Sequence, residues 1–383
     1  MTEQNIDPQR QEQAREYASV RRRFLLLDLI LGSVLLLIWL LLGWSTSVRD
    51  WILTWTSNQW IAVAAFGAIF GGFFYLIDLP LSYYTSYVLP HRYDQSNQTR
   101  KGWVGDVLKS ALLTALLGGL LLEIIYLMLR STPETWWLWA GGIIFLFNIL
   151  LANLAPILIM PLFYDFEPLG ENHRQLEERL LNLAEKAGTN VKGVYKFDIS
   201  RRTKSANAGL TGLGNSRRII LGDTMIDNFS PDEIETVLAH ELGHHVNRDI
   251  PLGMVFQTVL TLGSLYLVSI FLTWGVNAFG FQGIADIASL PLFGLAMGGF
   301  SLITMPMIHS FSRWRERLAD RYALQTTGKG QAYASALIRL ANQNLAEVDP
   351  PRWVELLLMS HPPLKKRIAL ANPDQAQPEL SKN

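Results

Sequence analysis

Residues 240–244 read His-Glu-Leu-Gly-His, an H-E-x-x-H motif within a segment that carries strong helix signals. Ser230, Pro231 and Glu233 supply an N-cap, a first-turn proline and a capping box. On a helix, histidines four residues apart project from one face, where two neutral ring nitrogens can bind one zinc ion. The motif predicts a zinc site in which Glu241 takes a proton from water. Alternatively, the motif arises by chance and the histidines are ordinary core or surface residues.

The composition narrows both the metal ligands and the class of protein. The chain has 383 residues and no cysteine, so a zinc site must use histidine and carboxylate ligands. Lys+Arg and Asp+Glu are equal at 33 each, which gives no reason to expect a nucleic-acid partner. Only 17% of residues are charged, below the usual ~25%, because the apolar residues come in long blocks. Such blocks are typical of a protein embedded in a lipid bilayer.

Six of these blocks are long enough to span a membrane, so we expect a mainly α, polytopic membrane protein. The predicted spans cover about residues 24–44, 60–79, 107–129, 136–160, 252–274 and 287–308. The first block is longer than a typical signal-peptide core and lacks a clear cleavage site, which favours a retained span. The chain then divides into an N-terminal segment (1–23), four spans (24–160), a polar region (161–251), two spans (252–308), a second polar region (309–370) and a disordered tail (371–383).

Basic residues predict the orientation of these spans. Arg21, Arg22 and Arg23 precede the first span and place the N-terminus in the cytoplasm. The connection between the second and third spans carries further basic residues and faces the same side. Six spans then return 161–251 and 309–370 to the cytoplasmic face. Any site that the two polar regions share can therefore form on one side of the membrane.

The first polar region reads as a small catalytic region with a little β-structure. A helix is predicted over 175–186 and strands over 191–199, 206–211 and 218–222. The motif helix then runs almost directly into the fifth span, so we expect a zinc site at the membrane surface. Residues 1–16 are polar and without an apolar face, and we expect them to fray.

A catalytic zinc keeps three protein ligands, and Glu316 is the best candidate for the third. It follows the sixth span, and Asp320 lies one turn later, placed to accept a hydrogen bond from a ligating histidine. The alternative is that Glu316 pairs with Arg313 or Arg321 on a solvated helix face. Asp249 is interpreted as a surface residue at a helix end, with support of a zinc ligand as the alternative.

Several separated segments agree, in order, with one family of membrane proteases. These segments are Leu79–Tyr84, Pro161–Phe163, Phe166–Leu169, Ser205–Ala208, Arg218–Leu221 with Asp223 and Thr224, the H-E-x-x-H motif, Glu316 with Asp320, Ser335–Ile338, and Ser360–Pro363 with Arg367. The chain closely resembles the type I CAAX prenyl endopeptidases, integral-membrane zinc proteases of the gluzincin kind. The match runs from about residue 75 to 370. The heat-shock membrane zinc proteases are more distant relatives.

The resemblance implies a role for each matching site residue. One zinc ion would be held by three ligands: His240, His244 and Glu316. Catalysis would use three residues: Glu241 as general base, with His361 and Arg367 stabilising the oxyanion. Asp320 would orient a ligating histidine, and an edge strand at Asn207 and Ala208 would pair with the substrate backbone. The implied fold is a ring of helices around an intramembrane chamber, with a zincin-like region that carries a small β-sheet.

The function that the resemblance implies is hydrolysis of a peptide or protein substrate at the lipid bilayer. The eukaryotic members have seven spans, whereas six are predicted here, and nothing in the sequence identifies a prenylated substrate. A quality-control protease that degrades damaged membrane proteins is therefore an alternative. An inactive membrane scaffold or chaperone is a second alternative, but a decayed enzyme is expected to lose some of these site residues, and all are present.

Overall fold

Long apolar helices dominate the computed structural model, which describes residues 6–212 and 217–371. Over these residues the α-helices are α1 (Pro8–Leu41), α2 (Trp44–Leu53), α3 (Gln59–Tyr83), α4 (Leu89–Arg92), α5 (Arg100–Ser131), α6 (Trp136–Leu154), α7 (Arg174–Lys186), α8 (Asp223–Asn228), α9 (Pro231–Val246), α10 (Asp249–Phe279), α11 (Leu290–Thr327), α12 (Gly330–Gln343), α13 (Arg352–Leu358) and α14 (Leu364–Ala371). The predicted tail lies outside the described residues from 372 onward.

Six helical stretches in the described part of the chain are long and apolar enough to cross a membrane. They are Pro8–Leu41, Gln59–Arg92, Arg100–Ser131, Trp136–Leu162, Asp249–Phe279 and Ile287–Thr327, which confirms the six predicted spans. The second and fourth stretches each include a π-helical turn, at Tyr84–Val88 and Ala155–Ile159.

The N-terminal segment is helical from Pro8 onward, contrary to the expectation that residues 1–16 fray, and residues 1–5 lie outside the described part. Asp7 caps the first turn of α1 with its side chain, and Pro8 occupies the first helical position. Gln11 and Ala14 are buried, at 8% and 0% exposed. The prediction was wrong because this stretch is stabilised by contacts with residues more than 300 positions away in sequence, which no local pattern shows.

The membrane part has an aromatic core and an apolar exterior. Trp39, Phe66, Tyr126 and Trp136 are nearly inaccessible and belong to one cluster contributed by several spans. On α5, Leu108, Leu112, Leu116 and Leu120 are all more than half exposed and four residues apart. A continuous row of exposed leucines is unfavourable in water, so it marks a surface that contacts lipid.

A four-stranded sheet lies in the first polar region, in the order β1-β2-β4-β3. The strands are β1 (Phe166–Pro168), β2 (Val194–Phe197), β3 (Ala208–Thr211) and β4 (Arg218–Gly222). The central pair β2 and β4 is parallel, whereas β1 and β3 are antiparallel edge strands. The three predicted strands are present, and the sequence reading missed β1.

Two helices bring the polar regions together. α11 runs without interruption from the sixth span into the second polar region, so Glu316 and Asp320 lie on its extension. α9 packs closely against it: a Cβ on Gly243 would lie 2.9 Å from the Cα of Ala319. Only glycine permits this backbone approach, which brings the motif histidines next to Glu316.

Candidate active site

The motif helix has the predicted start and a sharper end than predicted. At its N-terminus the Ser230 amide donates to the Glu233 carboxylate at 2.7 Å, and the Glu233 amide donates to the Ser230 hydroxyl at 3.3 Å. The helix ends at Val246, and Arg248 adopts a left-handed conformation with φ 56°. α10 then begins at Asp249, so the motif helix and the fifth span are two helices joined by a tight turn.

Three side chains from α9 and α11 converge on one point. His240 Nε2 and His244 Nε2 lie 3.2 Å apart. The Glu316 carboxylate faces both rings, with Oε2 3.3 Å from His240 Nε2 and Oε1 3.5 Å from His244 Nε2. One donor atom from each of the three residues lies within 4.8 Å of the others. This is the geometry of a three-ligand metal site.

His240 is supported by a buried polar cluster behind its ring. Its Nδ1 lies 2.9 Å from Oδ1 of Asp320, whose side chain is 1% exposed. The Tyr333 hydroxyl donates to the same oxygen at 2.5 Å. Arg367 donates to both oxygens of Asp320, at 2.7 and 3.0 Å, and its charge balances the carboxylate. The ring orientation of His240 is therefore fixed by one carboxylate that is itself held from two sides.

His244 has a separate support at the membrane-facing end of the motif. Its Nδ1 lies 2.7 Å from Oδ2 of Asp249, the first residue of α10. Arg315 donates from Nε to the other Asp249 oxygen at 2.6 Å and also contacts the Asn247 carbonyl. For Asp249 the alternative interpretation, support of a ligand, agrees with these contacts, and the favoured one, a surface residue, was wrong, because the turn after α9 folds this carboxylate back under the motif.

The charges around His240 also control its protonation. Burial lowers the pKa of His240, but the bonds to Asp320 and Glu316 outweigh it and raise the pKa to about 9. Burial raises the pKa of Tyr333, which keeps its hydroxyl protonated as a donor to Asp320. In the metal-free protein both nitrogens of the His240 ring are therefore protonated at neutral pH. A metal ion must displace the proton on Nε2 in order to bind there.

The donor set fits a metal ion. In the deprotonated state that binds metal, Nδ1 of each histidine is bound to an aspartate, and the Nε2 lone pairs point at each other and at Glu316. Once His240 Nε2 has lost its proton, Glu316 Oε2 is buried without a hydrogen-bond donor among the described residues. A buried carboxylate oxygen without a donor is costly, and a cation between it and the two imidazoles would satisfy it. The residues that would hold the ion are His240, His244 and Glu316.

A cavity of about 200 Å³ opens beside these ligands. It is lined by His240 and Glu241, by Asn207 and Ala208 at the β3 edge, by apolar side chains of α9 and α12, and by His361 and Arg367. Every residue to which the resemblance gives a role thus lies at the ligand cluster, in this cavity or directly behind it. The Glu241 side chain therefore shares this cavity with the ligand residue His240.

His361 and Arg367 occupy different positions around the site. His361 is half-exposed, and its Nε2 lies 3.2 Å from Glu316 Oε1, on the open side of the cluster. Arg367 has its guanidinium against Asp320 and Tyr333, behind the His240 ring. The resemblance implies the same oxyanion-stabilising role for both side chains, whereas the contacts of Arg367 are to the support of His240.

Sequence reasoning missed two of the residues that build these supports and misjudged a third. They are Tyr333, Arg315 and Asp249. Tyr333 and Arg315 carry no motif of their own, and only the packing of α9, α11 and α12 brings them to the histidines. Asp249 had a usable signal, since it is the first acidic residue after the motif and opens the next helix.

Comparison with known proteins shows two family regions that cover the chain. Residues 1–165 match the region described as the CAAX prenyl protease N-terminal, five membrane helices. Residues 171–373 match peptidase family M48. The chain is 28% identical over 370 residues to the uncharacterized metalloprotease YhfN of Bacillus subtilis, covering 96% of this chain and 86% of that protein.

A CAAX prenyl protease and a solved structure are also similar. CAAX prenyl protease 1 of Saccharomyces cerevisiae is 30% identical over 311 residues, which cover 76% of this chain and 68% of the yeast protein. The crystal structure of S. mikatae Ste24p matches with a TM-score of 0.85 and 26% identity, covering 96% of this chain and 90% of that one. With the geometry above, these matches show that the chain belongs to peptidase family M48, as a multi-pass membrane metalloprotease.

Proposed function

We propose that the protein is a zinc endopeptidase whose active site lies on the cytoplasmic side of the membrane. The observation that carries the proposal is the convergence of two imidazoles and one carboxylate beside the cavity that Glu241 lines. Two histidines and a glutamate, with a fourth position left open, are a donor set typical of catalytic zinc. The chain has no cysteine, which a thiolate-based structural site would require.

The orientation is supported by the basic residues that share one end of the molecule with the site. Arg22, in the basic run before the first span, forms an ion pair at 2.8 Å with Glu347 of the second polar region. Arg202, from the first polar region, pairs at 2.7 Å with Asp106 near the start of α5. The basic N-terminal segment, both polar regions and the basic connection before α5 thus lie together, and the positive-inside rule assigns this end to the cytoplasm.

The substrate main chain would bind along the β3 edge. Within the described part of the chain, β3 pairs only with β4, with Ala208 opposite Leu221. An edge strand of this kind can accept an extended peptide as an additional strand. Asn207 and Ala208 border the cavity that Glu241 lines, so a peptide paired there would place a carbonyl group near the metal position.

The proposed reaction is hydrolysis of a peptide bond. When bound, zinc supplies a lowered pKa for the attacking water and a positive charge near the scissile carbonyl. Glu241 accepts the proton of that water on its carboxylate and then gives it to the leaving amine. His361 Nε2, on the open side of the site, donates to the carbonyl oxygen as negative charge develops there. Arg367 holds Asp320, which keeps the His240 ring in the ligating orientation.

Of two candidate substrate classes, the comparisons favour one. Similarity to proteins named CAAX prenyl protease favours a prenylated, membrane-bound peptide. The alternative from the sequence, degradation of damaged membrane proteins, uses the same site. An inactive scaffold is not supported, since Glu241 and all three ligand residues are in place.

The deciding experiment is metal analysis of the purified protein combined with cleavage of two substrates. One substrate is a farnesylated CAAX peptide and the other an unfolded membrane protein. We expect about one zinc per chain and cleavage of the farnesylated peptide, with the unprenylated peptide as the matched control. Full zinc occupancy without turnover of either substrate would contradict the proposal.

A further inference from the structure

A buried turn connects three parts of the polar end that are distant in sequence. It comprises residues 344–348, after α12, and we call it the junction turn. Leu345 within it is 3% exposed and has φ 51°, a conformation that is sterically unfavourable for leucine. Side-chain and backbone bonds on three sides hold the turn in this shape.

The first side of the turn faces the β3 edge that is proposed to bind the substrate. The Asn344 side chain accepts from the Ala206 amide at 2.8 Å and donates to the Ala206 carbonyl at 3.1 Å. Gln343 donates to the Lys204 carbonyl at 2.8 Å. Ala206 is 4% exposed and immediately precedes Asn207 and Ala208. The Asn344 amide therefore pairs with both backbone groups of Ala206, as a neighbouring β-strand would, just before the edge begins.

The second side faces the N-terminal helix. Gln11 of α1 donates to the Ala346 carbonyl at 3.0 Å and accepts from the Val348 amide at 3.1 Å. Its side chain thus binds the turn through two backbone groups, in the same manner as Asn344 binds Ala206. The ion pair between Arg22 and Glu347 adds a contact from the same helix.

The third side faces the C-terminal segment. The Lys365 amide, in the first turn of α14, donates to the Val348 carbonyl at 3.1 Å. Arg367 lies two residues further along α14 and holds Asp320. The junction turn is therefore bonded to the substrate edge, to the N-terminal helix and to the helix that supports the His240 ring.

We infer that Asn344 is a positioning residue that fixes the β3 edge for substrate pairing, and that Gln11 acts through it from the N-terminal helix. The inference rests on the proposed use of the β3 edge. Strand pairing requires the edge to be held in register before the peptide arrives, because ordering it on binding weakens affinity. In the bonds above, the side chains of Asn344 and Gln11 pair with backbone groups of Ala206 and of the turn, and neither bonds to a ligand residue. Asn344 also lines the cavity, whereas Gln11 does not, so Gln11 tests positioning without a direct contact to substrate. Loss of either side chain should therefore affect the substrate more than the metal.

The first experiment compares Asn344→Ala and Asn344→Asp with the wild-type holoenzyme. The alanine variant loses two hydrogen bonds, so we expect kcat/KM to fall about tenfold, mainly through KM, with zinc content unchanged. The aspartate variant keeps the acceptor for the Ala206 amide but places a carboxylate oxygen against the Ala206 carbonyl oxygen, so we expect a KM at least as high as that of the alanine variant. An Asn344→Ala enzyme with wild-type KM would overturn the inference.

A second measurement separates substrate pairing from general damage. Peptide substrates are N-methylated at one backbone amide at a time, which removes one donor to the β3 edge. In the wild-type enzyme we expect a loss of affinity at alternating positions, and in Asn344→Ala smaller losses at those same positions. Wild-type penalties that persist unchanged in the variant overturn the role of Asn344. No penalty at any position in the wild-type enzyme would instead remove the proposed edge pairing itself.

The N-terminal helix provides an independent variant. Gln11→Ala removes both bonds to the junction turn, and we expect KM to rise in the same direction as for Asn344→Ala. Gln9→Ala is the matched control, because Gln9 is exposed two residues away on the same helix. The double variant Gln11→Ala/Asn344→Ala should show less than the product of the two single effects. A wild-type KM for Gln11→Ala would overturn the part assigned to the N-terminal helix.

Discussion

His240 and His244 lie on one helix and face the same point, yet their supports differ. The Asp320 carboxylate behind His240 is 1% exposed and is held by Arg367 and Tyr333 from the C-terminal region. Asp249 behind His244 is 13% exposed and is held by Arg315 at the junction with the fifth span. One ligand is thus tied to the C-terminal region and the other to the membrane junction. A change in either region is therefore expected to alter the affinity for the metal.

Removal of the deeper support should have the largest effect. Asp320→Ala leaves the Arg367 charge buried without its partner, so we expect a loss of about 3–5 kcal/mol in the free energy of unfolding. Loss of an outer partner of a ligating histidine should also weaken metal affinity by about 10–100-fold. Thermal unfolding and chelator competition measure the two effects. The control is Asp349→Ala, which breaks an exposed ion pair with Lys365 and should change stability by less than about 1 kcal/mol.

The protonation of His240 predicts a pH dependence of metal binding. Because its pKa is raised to about 9, the metal competes with a proton below that pH. We expect metal affinity to rise about tenfold per pH unit between pH 7 and 9 and then to level off. In the metal-free protein, the stability gained from protonated His240 is present below pH 6.5 and lost as the pH rises towards 9. A metal affinity that does not change between pH 7 and 9 would contradict the raised pKa of His240.

Removal of the shallower support should have a smaller effect. Asp249→Ala takes the acceptor from His244 but leaves Arg315 its contact with the Asn247 carbonyl. We expect about a tenfold loss of metal affinity and a smaller loss of stability than for Asp320→Ala. Asp249→Asn, which keeps an acceptor oxygen, should recover part of the affinity. If Asp249→Ala costs as much stability as Asp320→Ala, the proposed difference between the two supports is wrong.

The smallest effect is expected for Tyr333→Phe. This change removes one donor to Asp320 and one acceptor of Arg367, and it leaves the bonds from Arg367 to both Asp320 oxygens in place. We expect a loss of about 1.5–3 kcal/mol in the free energy of unfolding, the usual value for a hydrogen bond to a charged group, with metal affinity reduced only a few-fold. Chelator competition on the purified variant checks this. A loss of affinity equal to that of Asp320→Ala would mean that Tyr333, rather than Arg367, is the main support of Asp320.

Local patterns predict those parts of the fold that depend on one element. The capped motif helix follows from Ser230 and Glu233, and the spacing of Glu316 and Asp320 follows from helix periodicity. The six spans follow from apolar length alone.

The supports of the histidines depend instead on contacts between elements. Tyr333 reaches Asp320 from the next helix, and Asp249 reaches His244 only because Arg248 adopts a left-handed conformation. The N-terminal helix was missed for the same reason, since Gln11 is held by residues near 346.

The roles assigned to the site are most directly tested by Glu241→Gln, measured for zinc content and peptide cleavage on the same preparation. Glu241 contributes no ligand to the metal cluster, whereas its carboxylate is the proposed proton acceptor. We predict full zinc occupancy and a turnover reduced by about 10²–10⁴-fold, the usual contribution of a general base. Zinc-loaded Glu241→Gln protein that cleaves peptides at the wild-type rate would contradict the account.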